Sequence, residues 1–213
     1  MREPAAGSVQ NIRTALTIIT AEHAALETER SSTVFEANGR VGSYLATLSG
    51  GVVALAFIGE AAAFGRAFWV FFLVILPAQV FIGIVTFERV LQSSIEDAAL
   101  ARRINRLRRF YEDTEPGLMA YLTSPVTSDD AEAVMGQVGY ASSSWWQPFL
   151  AAAGMVGAIN SVILGVFTGV VAQLVMDRLF VTLPVGAVTC LLGIIVHHRR
   201  QQSVWSRVLA RQG

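Results

Sequence analysis

Apolar residues fall along most of this chain in unbroken blocks instead of at the spacing of a half-buried helix or strand. Between Arg40 and Glu60 run 19 residues without a charge, VGSYLATLSGGVVALAFIG, and between Arg66 and Glu88 another 21, AFWVFFLVILPAQVFIGIVTF. A third block extends from about Phe149 to Ala172, inside an uncharged stretch from Ala133 to Met176. A fourth, of 18 residues, runs from Leu179 to Val196 and stops at His197-His198-Arg199-Arg200. About 20 apolar residues in a helix cross a hydrocarbon core of roughly 30 Å. Four such blocks, apolar on every face, predict four transmembrane helices and argue against core helices of a soluble protein. The turns around 60–66 and 173–178 are short. The predicted fold is therefore all-α: a polytopic membrane protein with two transmembrane hairpins, residues 41–87 and 147–196, and a cytoplasmic helical layer.

Helical periodicity reappears outside the blocks. In the N-terminal segment, residues 1–40, Val9, Ile12, Leu16, Ile19, His23 and Leu26 alternate at spacings of three and four, with Ser8 as a plausible N-cap. Glu22, Glu27 and Glu29 flank that stripe and would be repelled by anionic lipid, so helix–helix packing is the expected use. In the central segment, residues 88–146, no breaker interrupts Phe87 to Tyr111, and the second span is expected to continue as a stalk whose apolar stripe is Leu100, Ile104, Leu107 and Tyr111. Arg102, Arg103, Arg106, Arg108 and Arg109 crowd its other faces, with Arg108–Glu112 and Arg109–Asp113 as candidate i,i+4 pairs. Glu115-Pro116-Gly117 should end the helix. A loop around Pro125 and a short helix opening at Ser128-Asp129-Asp130 follow. In the tail, residues 197–213, Val204, Trp205, Val208 and Leu209 against Arg207 and Arg211 predict a basic amphipathic stretch lying on the inner leaflet.

Composition agrees with this partition. The chain is 53% hydrophobic and 15% charged, where soluble domains run nearer 45–50% and about 25%. Its 16 basic residues, all Arg, balance 16 acidic ones. Glu88 to Glu115 is itself neutral, six acids against six arginines, so no nucleic-acid partner is implied. The distribution is far from even: 14 arginines lie in residues 1–40, 88–146 and 197–213, and only Arg66 and Arg178 in the two turns. The positive-inside rule then puts both termini and the central segment in the cytoplasm, as expected for a multi-pass protein of a bacterial inner membrane. The polar N-terminal segment shows no signal peptide. Trp69, Trp145, Trp146 and Trp205 read as interfacial anchors.

Helix association in lipid rests on close backbone approach at small residues. Span one carries Gly42, Ala46, Gly50 and Ala54 at every fourth position, and span three carries Ala153, Gly157, Ser161, Gly165 and Gly169. Both ladders predict packing seams, within one chain or between subunits. Spans two and four share a Leu-Pro step, at Pro77 and Pro184, which suggests a duplicated two-helix unit.

Candidate chemistry is sparse. The chain has no phosphate-binding Gly-Lys-Ser/Thr loop, no HExxH and no GxSxG, and its single cysteine, Cys190, rules out an intrachain disulfide. His23 reads as a tolerated core polar residue, and His197 and His198 as interfacial. No enzyme activity, metal or cofactor is expected. Gln79, Asn160 and Ser161 lie near mid-depth of their spans, where they either hydrogen-bond between helices or line a polar path. No charge sits near a midplane, which argues against proton-coupled pumps.

The stretches LTIITAEHAALETERSSTVFEANGRVGSYLATLSGGVVALAF and EDAALARRINRLRRFYEDTEPGLMAYL resemble an uncharacterised family of multi-pass membrane proteins of high-GC bacteria, to which no activity is attached. In architecture, two-span hairpins followed by a cytoplasmic helix are similar to SLATT-type membrane effector domains, which implies a pore. Together these readings lead to the expectation of a homo-oligomeric channel or pore-like protein. The alternative is a scaffold that anchors a cytoplasmic protein partner to the bilayer.

Overall fold

A computed structural model of the chain describes residues 6–114 and 151–210. Four helices account for nearly all of them: α1 (Ala6–Ala61), α2 (Arg66–Thr114), α3 (Ala152–Met176) and α4 (Leu179–Ala210). The chain is all-α over these residues, and each helix holds a segment long and apolar enough to cross a membrane. The predicted loop at 123–130, the short helix after it and the tryptophans Trp145 and Trp146 lie outside the described residues.

α1 is longer than its sequence pattern suggested. It begins at Ala6, upstream of Ser8, and runs unbroken through the polar segment into the first span over 56 residues. The five glycines between Gly39 and Gly59 do not interrupt it. In hydrocarbon every backbone group must be satisfied internally, and that requirement outweighs the weak helix propensity of glycine. α2 likewise runs through Pro77 and on beyond the second span to Thr114, the last described residue before the expected stop at Glu115-Pro116-Gly117, which lies outside the described residues.

The turns are tight. Between α1 and α2, Ala63 and Phe64 take φ of 45° and 54°, left-handed values that non-glycine residues seldom adopt. The Phe64 N–H donates to the Gly59 carbonyl at 2.9 Å, and the Phe64 ring folds back over Gly59, where a Cβ would lie 2.9 Å from it. Between α3 and α4 the left-handed residue is Asp177, φ 49°, whose N–H caps the Gln173 carbonyl at 2.9 Å. The Gln173 side chain ties the turn together. It donates to Asp177 Oδ1 at 3.2 Å and accepts from Thr182 Oγ1 at 2.6 Å.

The described residues separate into two compact units, one of residues 6–35 with 96–114 and one of 36–95 with 151–210. In the first, Leu26 of α1 packs with Leu100 and Ile104 of α2, and Leu107 lies against them. His23 stacks on Tyr111 with ring centroids 5.8 Å apart. Arg30 pairs with Asp97 at 2.6 Å, and Arg108 reaches across to Glu27 at 3.5 Å.

The second unit buries polar residues beside apolar ones such as Phe72, Leu76, Phe87 and Leu91. Its buried residues include Tyr44, Gln79, Asn160 and Ser161. Phe57, Val74, Phe81, Leu183, Leu191, Leu192 and Val196 face outward. Large apolar side chains exposed in such numbers are what a lipid solvent accommodates.

Candidate functional site

Two features of the second unit bear on function: a polar seam shut inside the helices, and an open face of small residues on α1.

The seam begins at Gln79, whose Nε2 donates to the Thr47 carbonyl at 2.9 Å. Gly51 makes room for it, since a Cβ there would stand 2.5 Å from that nitrogen. One turn further along α2, Gly83 lies directly beneath Asn160 Oδ1, and Tyr44 Oη is 3.0 Å from the same missing Cβ. Tyr44 and Asn160 are each 1% exposed. Tyr44 Oη, Asn160 Oδ1 and Gln79 Oε1 have no hydrogen-bond partner among the described residues. Such groups are costly to leave unmade in a low-dielectric interior. Gly83 is what lets three helices bring them together.

Ser161 and His197 continue the seam between α3 and α4. Ser161 Oγ donates to the Gly157 carbonyl at 2.7 Å, and the His197 ring nitrogen Nδ1 lies 2.8 Å from the Gly193 carbonyl. A carbonyl only accepts, so Nδ1 carries the proton and donates it there. Ser161 Oγ, 3.3 Å from the same nitrogen, therefore has no base to take its proton. Ser161 is also fully buried, with Gly193 packed against it. The pair is a packing contact and does not form a nucleophilic dyad. His197 meets the ring of Phe87 edge-on at 4.6 Å.

Where the apolar blocks of α2 and α4 end, Arg200 grips Glu88 through two parallel bonds, Nε to Oε1 at 2.8 Å and Nη2 to Oε2 at 2.9 Å. That contact holds the Glu88 carboxyl below its ordinary value of 4.5; partial burial opposes the shift, and the charges of Arg200 and His197 add to it. The guanidinium of Arg200 is raised in turn by the same bond. Among the described residues no three His, Cys, Asp or Glu side chains gather as a metal site.

The two small-residue ladders behave differently. Ala153, Gly157, Ser161, Gly165 and Gly169 are all buried on α3. Gly165 lies so close to Gly186 that a Cβ would sit 2.7 Å from the Gly186 carbonyl oxygen. This seam closes within the chain. On α1, by contrast, Gly42, Ala46 and Gly50 are exposed and Ala54 is half-buried. A Cβ at Gly39, Gly42 or Gly50 would meet nothing within 4 Å. Ser43 and Thr47 share that open face.

Of the remaining candidates, Leu100, Ile104, Leu107 and Tyr111 come together in the first unit as described. Trp69 is half-buried and meets Phe68 and Phe72 edge-on. Trp205, expected as an interfacial anchor, is only 5% exposed and packs into protein. Val204 and Val208 line one groove with Arg200 and Arg207 instead of opposing them. Sequence reasoning passed over Tyr44, Gly83 and the Glu88–Arg200 pair. A lone phenol within an apolar block, and opposite charges immediately beyond two block ends, were the available signals.

Compared with known proteins, the chain matches no family model, no curated protein and no solved structure.

Proposed function

We propose that this integral membrane protein assembles as a homo-oligomer through the first span, and that the assembly forms a channel or pore-like path. The open face of α1 carries the reading. Gly42, Ala46 and Gly50, with the hydroxyls of Ser43 and Thr47, offer a smooth, mildly polar surface within the first apolar block, and they stand exposed among the described residues. Small residues admit a second backbone closely, and hydroxyls tolerate water. On this reading the path is lined from α1. Gln79, Asn160 and Ser161 are closed into the helix packing and support the walls. The arginine distribution favours an orientation with both termini in the cytoplasm of a bacterial cell.

A scaffold role is the second reading. It is favoured by the first unit, which has its own apolar core and still exposes Ile18 and Phe35, at 63% and 81%, to a partner.

Ion flux in liposomes containing the purified chain separates the two. The channel reading expects flux that falls at least about tenfold in a Ser43→Leu, Thr47→Leu double variant. It expects a smaller effect from Asn160→Leu with Gln79→Leu, once stability is matched. Absence of flux, or flux indifferent to the α1 face, overturns it in favour of the scaffold.

A further inference from the structure

Past the last apolar residue, Val196, α4 continues for more than three turns as HHRRQQSVWSRVLA, with three arginines and no acid. Arg200, Val204, Arg207 and Val208 line one groove on this extension. Arg200 is engaged by Glu88. Arg207 is exposed and donates only within its own helix, to the Ser203 carbonyl at 2.9 Å and to Ser203 Oγ at 3.3 Å. The opposite charge stands on α1. Glu22, Ala25, Glu29, Ser32 and Glu36 follow one another at spacings of three and four, so they form one stripe along the helix, and all five are exposed. Glu36 is held by Arg40. Glu22 and Glu29 make no ion pair among the described residues.

An even number of spans separates these two faces along the chain, so they lie on the same side of the membrane whichever way the protein is oriented. They also stand at the same height above it. Arg207 is 11 residues past Val196, about 17 Å of helix, and Glu29 is 12 residues before Val41, about 18 Å. Arg200 and Glu36 match in the same way, four and five residues beyond those limits, and each already has a partner in its own chain. The small side chains of Ala25 and Ser32, on either side of Glu29, leave room for Val204 and Val208. From this register we propose that the extension of α4 docks on the acidic stripe of α1 in a second copy of the chain, with Arg207 paired to Glu29. The inference rests on the homo-oligomer reading and gives it a direction. A contact between two different faces runs head to tail, and head-to-tail contacts can close into a ring. The charge pair selects the register, because a slip along either helix sets Arg207 against Ala25 or Ser32.

The test uses the full-length chain in native membranes, in a Cys190→Ser background. Glu29→Cys on one tagged copy and Arg207→Cys on a differently tagged copy, co-expressed and treated with a short bismaleimide, should give a cross-linked product carrying both tags. Glu60→Cys in place of Glu29→Cys, at the turn on the far side of the membrane, should give none. In purified protein diluted in detergent, Glu29→Arg and Arg207→Glu should each raise the concentration at which the oligomer dissociates about fivefold, the upper range for one exposed ion pair. Combining the two reversals should restore the parental value. An oligomer that lacks the two-tag product, or that is indifferent to both charge reversals, overturns the docking and leaves the homo-oligomer reading standing. Cross-linking found only within a chain that carries both cysteines overturns it as well. A chain that is monomeric at every concentration overturns both readings.

Discussion

Gly83 and Gly42 show how much a single missing side chain means when the helix face beneath it differs. A methyl on Gly83 runs into Asn160 Oδ1 and sits 3.0 Å from Tyr44 Oη. Both neighbours belong to packed helices, so neither yields freely. Gly83→Ala is expected to destabilise by about 1–3 kcal/mol, the usual cost of overpacking a tight interior. A methyl on Gly42 meets nothing within 4 Å, so Gly42→Ala should leave the stability of the single chain unchanged, or raise it slightly through better helix propensity. Thermal unfolding of the two variants in a monodisperse detergent preparation makes the comparison, and equal losses would contradict the packing described for Tyr44, Gly83 and Asn160. None of this was legible from composition. The ladder at Gly42, Ala46, Gly50 and Ala54 looked like the one on span three, because small residues at every fourth position mark a face without saying what lies opposite. Asn160 and Gln79 stood out as polar residues in apolar blocks. Their partners Gly83 and Gly51 did not, since a glycine's importance comes from what another helix places over it.

At the scale of the helices, the sequence was most informative where the physics is one-dimensional. Block length against bilayer thickness placed four helices, and the uninterrupted run expected from Phe87 to Tyr111 lies within α2. The stripe of Leu100, Ile104 and Leu107 foretold a buried face, and it meets Leu26 from the N-terminal stripe. The continuity of α1 was less visible, because a polar helix and an apolar span look like separate segments until one backbone joins them. Long-range charge pairing was not visible at all. Arg108 reaches Glu27 across 81 residues of sequence, and Glu88 and Arg200 are 112 residues apart. The Glu88–Arg200 bond has a pH signature. With its folded-state pKa lowered below 4.5, Glu88 stabilises the fold above the ordinary carboxylate value. That contribution disappears as pH falls through the lower, folded-state value. Both side chains are a third or more exposed, at 34% and 47%, so solvent limits the effect to at most about 1 kcal/mol. Melting temperature followed from pH 7 down to about pH 3 should therefore drop less in Glu88→Gln than in the parent. Identical profiles would mean that the pair contributes nothing to stability.

For the whole molecule, the decisive asymmetries are those between faces. A neutral total of 16 basic and 16 acidic residues conceals 14 arginines in the polar segments against two in the turns. Two matching ladders conceal one seam that is closed and one that is open. If the open seam is where copies meet, position 46 on the exposed face of α1 lies near its counterpart in a neighbouring subunit, and position 74 on the exposed face of α2 looks into lipid. Cys190 is the single native cysteine, so a Cys190→Ser background leaves any introduced thiol alone in the chain. In that background, Ala46→Cys should form disulfide-linked dimers in native membranes under mild oxidation, because a disulfide requires Cα atoms within about 7 Å. Val74→Cys should stay monomeric under the same treatment. The comparison is independent of conduction, since it reads only proximity. Adding Gly42→Leu to Ala46→Cys should abolish the cross-link, because a bulky side chain holds the two backbones apart. Equal cross-linking at both positions would point to random collision in the bilayer, and no cross-linking at Ala46→Cys would place the open face of α1 against lipid instead of a second copy.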